Sequence, residues 1–570
     1  MYLRLRKGAA FDISAPPPSA INWDRAENEA ACVLVYGHPY QSDTSTWLNA
    51  SDVLKLYAEK GLDLVGDLDG MYSLIFVDKA ENRCHVVVDR YGLAALFCAA
   101  GDDHFIVSDD LHEAATLSGN TALDRQALVE YLVTEYIYGS RTLFEGVSLC
   151  EPATIYHVDA GLTLTRERYW DLQGAPASDA LSDEQWRERF NSHVGGIVEQ
   201  AEALSMPLTG GVDTRTVFSA CVPWAGKLHC WTHGRPGAPD IRLAQRICDH
   251  FDTPPHVVHE LDDDWVADLP AAFEADAGIV NGMAAALKVL HAERSFRREQ
   301  SRAGILLSGV MGNEIWRCAY APYIKGGRSA GEIADRLAAM RNDFRRRGVA
   351  EGLRIFNTST TGNIDDVLRA SMDEEIAAAP DPNDWLSVVE RFSYRVFCWK
   401  WCGFAMQAAA KYFKVFPALL QKDLVPRVAL LPIERRNAGD IQRLIIDGNN
   451  RFLGNLALDK AGYIRPTLTA RARALRQKAL YYLDGACRRL LHLRGFLTPG
   501  VNRLDWLRPH ASWLETEILA YDRLRTGALF HRQPYEAVIG AFFKGANANG
   551  LFVANLVSLE LYLRHVGWAD

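Results

Sequence analysis

The stretch MPLTGGVDTRTVFSA, Met206–Ala220, carries the strongest structural signal in the 570-residue chain. A short apolar run ends at Pro207–Thr209, two glycines follow, and a helix-like apolar run begins at Thr214 and continues to Cys221. Glycine allows the backbone to approach a ligand closely, and the amides that open a helix attract anions. In open parallel sheets, ligands bind at the carboxyl ends of strands. The stretch therefore predicts a strand, a phosphate-binding turn and a helix.

The residues after this turn alternate between strand-like and helix-like patterns. The runs KLHCWTHG, PHVVHEL and GILLSG are short and apolar, as expected of strands, and Asp240–Phe251 has apolar residues at helical spacing. This alternation predicts a parallel α/β sheet. The chain from about 330 to 570 is expected to be mostly helical.

The first part of the chain has a different pattern, in which short runs of β-branched and aromatic residues, typical of strands, dominate residues 30–170. Two helical stretches, Ser51–Lys60 and Asp124–Thr134, interrupt these runs. This order predicts an α+β or sandwich-like first domain over residues 1–170. The small, polar residues 171–182 then form a linker to a second domain, 183–570, whose first helix has a capping box of Ser182 and Gln185.

Composition limits the possible function classes. The formal net charge of −9 and a pI near 6.0 give no nucleic-acid signature. There is no apolar run long enough to cross a bilayer, no signal-peptide pattern, and no CxxC pair among the 11 cysteines. We expect a cytoplasmic protein with reduced thiols and neither a nucleic-acid nor a membrane partner.

The spacing of His229, Cys230 and His233 does not predict a metal site, and Cys398 and Cys402 are expected in a buried core.

Several motifs in order resemble one family. LTGGVDTRT is similar to the SGGxDS pyrophosphate loop of asparagine synthetase-like enzymes, with Thr209 and Thr214 in place of both serines. Downstream, LLSGVMGNEIW and VFPALLQKDLVPRVALLP resemble later segments of that family. Upstream, GDLDGMYSLIFVD, VVDRYGLAALF, FIVSDDL and LFEGVSLCEPATIYHV resemble its glutaminase domain. The resemblance covers about residues 60–460. It implies an N-terminal nucleophile-hydrolase-like sandwich followed by an α/β PP-loop domain of the adenine nucleotide alpha hydrolase type, with a helical C-terminal portion.

The resemblance also implies an activity and a site. A carboxylate would attack ATP to give an acyl-adenylate and pyrophosphate, and an amine would then release AMP. Mg²⁺ would lie between the phosphates and Asp213, with Asn313 or the adjacent Glu314 as a second ligand. Lys460 would meet the pyrophosphate and Glu314 would act as a base, although a solvated lysine and a surface salt bridge are the alternatives. The implied ATP-binding residues are Leu208, Thr209, Gly210, Gly211, Asp213, Thr214, Trp231, Ser308 and Gly309; for Trp231, core packing is an equal alternative.

Two departures from the family narrow the expected reaction. Tyr2 stands where the family has its nucleophilic cysteine, and Cys32 cannot act at a chain terminus without processing. The first domain is therefore expected to be a degenerate glutaminase, and the amine to come from a substrate other than glutamine. The leading specific prediction is lasso-peptide macrolactam formation, with a precursor peptide and its leader protease as partners. The second prediction is a β-lactam or other small-molecule amide synthetase. The third is an asparagine synthetase that uses external ammonia.

The second departure is at the loop that follows GILLSG, where Val310 and Asn313 replace acidic residues of the family. These replacements leave open a non-catalytic, nucleotide-binding scaffold. The arginine-rich stretch Arg471–Gly495 could receive a peptide or an anionic partner, but a solvated helix face is the favoured interpretation.

Overall fold

The computed structural model describes the chain apart from residues 7–11, 14–22, 175–179, 235, 261–279, 284–285, 343–349, 459–461, 466, 469–470, 473–474, 477–478, 481, 484–506, 547–548 and 569–570. Lys460 and much of Arg471–Gly495 therefore lie outside the described residues.

Twelve strands of the N-terminal part form two sheets, antiparallel at each described pairing. The first has the order β10-β8-β9-β1-β2, and the second has the order β12-β11-β7-β6-β4-β3 with β5 beside β4. The strands are β1 Tyr2–Arg6, β2 Asp12–Ile13, β3 Trp23–Glu27, β4 Ala31–Gln41, β5 Thr46–Trp47, β6 Leu68–Asp78, β7 Arg83–Val88, β8 Phe97–Ala100, β9 His104–Ser108, β10 Val147–Leu149, β11 Thr154–Val158 and β12 Leu164–Arg168.

The two sheets pack face to face because alternate residues of each point into one core. Leu5 and Val107 of the first sheet share that core with Leu34, Ile75 and Val86 of the second. The outer face of the second sheet packs on helix α1, Ala50–Lys60, and that of the first on α2, Leu111–Ser118, and α3, Arg125–Thr134. This layering confirms the predicted sandwich and both helices predicted in it; α2 and several short strands were not predicted.

The second part is built around a five-stranded sheet, parallel at each described pairing, in the order β15-β14-β13-β16-β17. The strands are β13 Leu204–Pro207, β14 Leu228–His233, β15 Val257–His259, β16 Ile305–Ser308 and β17 Lys414–Pro417. The parallel sheet and its first four strands confirm the prediction. The strand β17 was not predicted, because its run VFP resembled a family segment without an independent strand signal.

The described helices of the second part lie before, between and after the strands of this sheet in sequence. They are α4 Asp183–Gln200, α5 Val212–Cys221, α6 Pro239–His250, α7 Ala286–Glu299, α8 Ala321–Ile324, α9 Ala330–Arg341, α10 Thr358–Thr361, α11 Ile364–Ala377, α12 Trp385–Phe392, α13 Gly403–Ala410, α14 Leu424–Ala429, α15 Ile433–Ala438, α16 Asp440–Asn449, α17 Arg451–Asn455, α18 Ala511–Trp513, α19 Arg532–Phe543 and α20 Gly550–His565. A π-helix, Ser393–Cys402, joins α12 to α13 and buries Cys398 and Cys402, as expected.

The junction between the two parts has the predicted capping box. The Ser182 side chain accepts from the Gln185 amide, and the Gln185 side chain accepts from the Ser182 amide. The domain bounds themselves stay a prediction, since the two parts share one apolar core in which Tyr40 packs on Phe416.

The C-terminal helix α20 packs back on the first part of the chain. The Asn555 side chain donates to the backbone carbonyls of Tyr131 and Leu132 in α3, and the Trp568 indole donates to the Thr121 carbonyl. Among the described residues, no helix is both long and apolar enough to cross a membrane.

Candidate functional site

The glycine turn joins β13 to α5 in the middle of the parallel sheet, where the sequence predicted it. The Thr214 hydroxyl accepts from the Thr209 amide at 3.2 Å and lies 3.1 Å from the Thr209 hydroxyl. The Thr209 hydroxyl in turn accepts from the Gly211 amide at 3.2 Å. These bonds close the turn, and the first amides of α5 have no partner within their own helix. The turn can therefore present backbone N–H groups to an anion.

A buried arginine fixes this turn to a distant segment. Arg215, on the first turns of α5, is fully buried and donates to the Gly210 carbonyl at 2.9 Å. It also donates to the carbonyls of Leu456 and Ala457, both at 3.0 Å, just before the segment that contains Lys460. Sequence reasoning missed this role, because an arginine at a helix start reads as a surface residue.

The loop after β16 approaches the turn so closely that two glycines are required. A Cβ on Gly309 would lie 3.0 Å from the backbone of Asp213 and Thr214, and one on Gly312 would collide with the Asp213 carboxylate. The Ser308 hydroxyl accepts from the Val310 amide at 3.2 Å, which shapes the loop. The structure therefore brings the predicted Ser308–Gly309 pair against the predicted glycine turn.

The Asp213 carboxylate is held by two side chains that the sequence analysis did not single out. Arg317 donates to Oδ2 at 2.7 Å and Gln442 donates to Oδ1 at 2.6 Å. The side chains of Asp213 and Arg317 are 22% and 26% exposed, so the pair lies at the edge of the site. Near a protein surface, two positive unit charges about 4 Å apart repel each other by about 4 kcal/mol. Arg317 therefore disfavours a second cation beside Asp213.

This arrangement does not fit the expected magnesium site. Both Asp213 oxygens already accept hydrogen bonds, one of them from a cation, and Asn313 supplies no negative charge. Mg²⁺ is bound in proteins mainly through carboxylates and phosphates. The side chains as placed therefore favour an Asp213–Arg317 ion pair, and the metal ligation expected of Asp213 and Asn313 stays a prediction.

Glu314 is buried rather than placed in a surface salt bridge, which was its alternative interpretation. It is 7% exposed, in a π-turn over Gly312–Trp316, and Asn313 Nδ2 donates to its carboxylate at 3.4 Å. Burial raises the pKa of the Glu314 carboxyl, and the charge of Asp213 raises it further. A carboxyl whose pKa is raised accepts a proton more readily than an exposed one.

The remaining predicted residues divide between strand ends and core. The Leu208 amide donates to the Trp231 carbonyl at 2.9 Å, which extends the pairing of the two neighbouring strands toward the site. The Trp231 side chain is 1% exposed, donates to the Ser205 hydroxyl and packs on Phe296, so it belongs to the core. A backbone contact from Leu208, Trp231 or Gly309 to a ligand stays a prediction, as do the roles of Thr209, Gly210, Gly211 and Lys460.

The first part of the chain has its cysteines in the core. Cys32, Cys84, Cys98 and Cys150 are buried, and burial raises the pKa of the Cys32 thiol. Cys32 lies at the second position of β4, paired with both β3 and β6. A cleavage that exposed Cys32 as a terminus would remove β1, β2 and β3 from the two sheets.

Comparison with known proteins matches both parts of the chain to described families. Residues 36–170 match a glutamine amidotransferase domain, and residues 185–443 match asparagine synthase. The chain is 23% identical over 247 residues to the glutamine-hydrolysing asparagine synthetase B of Escherichia coli (strain K12), which covers 41% of this chain and 40% of that protein. It is 23% identical over 274 residues to the glutamine-hydrolysing root asparagine synthetase of Pisum sativum, covering 45% and 42%. The chain thus matches about two fifths of the length of these relatives.

Among the solved structures that match is an allosteric regulatory enzyme of purine biosynthesis. The match is 12% identical, covers 32% of this chain and 42% of that chain, and has a TM-score of 0.17, which is too low to bear on fold or function. The order of the two matched domains along the chain agrees with the order expected from the sequence motifs.

Proposed function

Because the chain belongs to the asparagine synthetase-like family, we propose that it is an ATP-dependent, AMP-forming amide ligase. The observation that carries this proposal is the glycine turn Thr209–Thr214, which follows β13 and opens α5 inside the asparagine synthase match. Hydrogen bonds to the Thr209 and Thr214 hydroxyls fix the shape of the turn, which lies at the carboxyl end of a parallel strand, where ligands bind in such sheets.

The proposed reaction has two steps. A substrate carboxylate oxygen attacks the α-phosphorus of ATP, the bond to the β-phosphate breaks, and pyrophosphate leaves from the turn. An amine nitrogen then attacks the acyl carbon, the bond to AMP breaks, and the amine proton passes to a base. Glu314 is our candidate for that base, because burial raises its pKa.

We further propose that the amine is not ammonia released from glutamine. The curated relatives named above hydrolyse glutamine, yet in this chain Tyr2 opens β1 opposite Ser108. Each cysteine described in the amidotransferase part is buried in a sheet or beside one. Nucleophilic cysteines need an accessible thiolate, which burial disfavours. These residues support a domain that keeps the sandwich without glutaminase chemistry.

Within this class, we propose ring closure on a peptide as the first reaction to test. A precursor peptide would supply both the carboxylate and the amine, and a leader protease would prepare it. A β-lactam or other small-molecule amide and an asparagine synthetase fed with external ammonia remain the alternatives. A short precursor-peptide gene beside the gene for this chain would favour the peptide, and amino-acid or polyketide enzymes would favour a small molecule.

The proposal is tested by ATP binding and by AMP formation. Calorimetric titration of the full chain should show saturable ATP binding that is weakened in Thr214→Val, which removes the hydroxyl that accepts from Thr209 without changing side-chain size. Candidate peptides and amino acids should then yield equal amounts of AMP and pyrophosphate. Saturable ATP binding without AMP for any substrate would favour the non-catalytic scaffold, and no ATP binding would refute both.

A further inference from the structure

The position of Arg317 is unusual for a site that is expected to bind phosphate with a metal ion. Its guanidinium makes a 2.7 Å ion pair with Asp213, the acidic residue at the start of α5. The opposite oxygen of Asp213 accepts from Gln442 at 2.6 Å. The positive side chain of Arg317 therefore lies where the carboxylate would otherwise face a cation from solution.

Several contacts hold Arg317 in this position. Its backbone amide donates to the Gly312 carbonyl at 3.0 Å, and its own carbonyl accepts from the Asn437 side chain at 2.5 Å. Its side-chain stem passes over Gly439, where a Cβ would lie 3.3 Å from Arg317 Cδ. Contacts with the π-turn and with α15 thus hold the residue in place. Its Nε–H is buried and has no hydrogen-bond partner among the described residues.

Two positions of the same loop where the resemblance implies acidic residues are uncharged, while Glu314 keeps its buried carboxyl. Val310 is apolar, and the Asn313 amide carries no charge. Gly312 leaves room for Asp213 and Arg317 to meet, since any side chain there would collide with the carboxylate. The apolar Val310, the uncharged Asn313 and the fixed Arg317 thus lie within eight residues of sequence, from 310 to 317.

We propose that Arg317 takes the place of a protein-bound metal ion at the glycine turn and binds the phosphates of ATP directly. The guanidinium is planar, always charged, and matches two phosphate oxygens at once. Asp213 then serves to position Arg317 rather than to ligate a metal. This inference rests on the proposed function, because it assumes that the turn holds the phosphates of ATP.

The first test measures binding of inorganic pyrophosphate to the full chain in the presence of EDTA. Wild-type protein should bind pyrophosphate without a divalent ion. Arg317→Ala should weaken binding by about 10- to 100-fold, as expected for loss of a charge-assisted contact. Arg317→Lys should restore only part of it, since one ammonium cannot replace the fork. Arg242→Ala, an exposed arginine of α6, is the matched control and should bind as wild type does.

The second test measures metal directly, by electron paramagnetic resonance of Mn²⁺ with nucleotide-free protein. Wild type and Asp213→Asn should show the same Mn²⁺ signal, because Asp213 binds no ion in wild type. The double variant Arg317→Gly, Asn313→Asp should bind one additional Mn²⁺ ion. Wild-type Mn²⁺ binding that is lost in Asp213→Asn would overturn the inference. This measurement on wild type also stands if an Arg317 variant does not fold.

The outcomes separate this inference from the proposed function. If wild type binds ATP and Arg317→Ala binds pyrophosphate equally well, the role of Arg317 is refuted while the ligase proposal survives. If wild type binds neither ATP nor pyrophosphate, both are refuted. Pyrophosphate binding that requires Mg²⁺ in wild type would also refute the role of Arg317.

Discussion

Replacing Arg215 with alanine should loosen the glycine turn more than any other single change there. Its guanidinium joins the Gly210 carbonyl to the carbonyls of Leu456 and Ala457, with bonds of 2.9, 3.0 and 3.0 Å. A buried carbonyl that loses its donor costs about 1–3 kcal/mol. With three carbonyls affected and some relaxation, we expect Arg215→Ala to destabilise the local structure by about 3–5 kcal/mol.

Hydrogen-exchange mass spectrometry measures this effect locally, without requiring two-state unfolding of a large chain. Peptides that cover residues 208–221 and 452–458 should exchange at least about 100-fold faster in Arg215→Ala, because each 1.4 kcal/mol is a factor of ten. Arg215→Lys should fall between wild type and Arg215→Ala, since one ammonium cannot reach both segments. Arg242→Ala should leave both peptides unchanged. Unchanged exchange in Arg215→Ala would refute the role assigned to this residue.

Three further predictions concern packing, the cysteine and pH. Gly312→Ala should weaken ATP binding, because its methyl group would displace the Asp213 carboxylate and cost about 1–3 kcal/mol of strain; unchanged calorimetric affinity would contradict this. Cys32→Ser should leave amide formation unaltered, and loss of glutamine-dependent ammonia release in this variant would contradict a degenerate glutaminase. Burial lowers the pKa of His38 to about 4, so the unfolded chain takes up a proton between about pH 6.5 and 4 that the folded chain does not. Stability should therefore fall over that range by at most about 1.4 kcal/mol per pH unit, and chemical denaturation of His38→Gln should show a shallower fall.

Much of the architecture follows from local sequence patterns. The turn Thr209–Thr214 was predictable because glycines and hydroxyl residues stand between a strand-like and a helix-like run. The capping box at Ser182 was predictable for the same reason, since it is encoded within four residues. Strand β17 was harder, because it lies more than 100 residues from its partner β16, far from the alternating strand and helix patterns around the turn.

The electrostatic contacts of the site were not predictable from sequence. Arg317 and Gln442 meet Asp213 from positions 104 and 229 residues away, and the contacts depend on how α15, α16 and the π-turn pack. Arg215 looked like an ordinary helix residue because its partners, Leu456 and Ala457, contribute only backbone carbonyls. A partial signal was present for Arg317, since Val310 and Asn313 had already lost the acidic character expected of a metal site.

In the proposed reaction, the glycine turn holds the pyrophosphate part of ATP. The most direct measurement compares the calorimetric affinities of the full chain for ATP and AMP, in wild type and in Thr214→Val. We expect wild type to bind ATP more tightly than AMP, and Thr214→Val to weaken ATP binding while leaving AMP binding unchanged. Equal affinity for ATP and AMP in wild type, or equal weakening of both in Thr214→Val, would contradict the account.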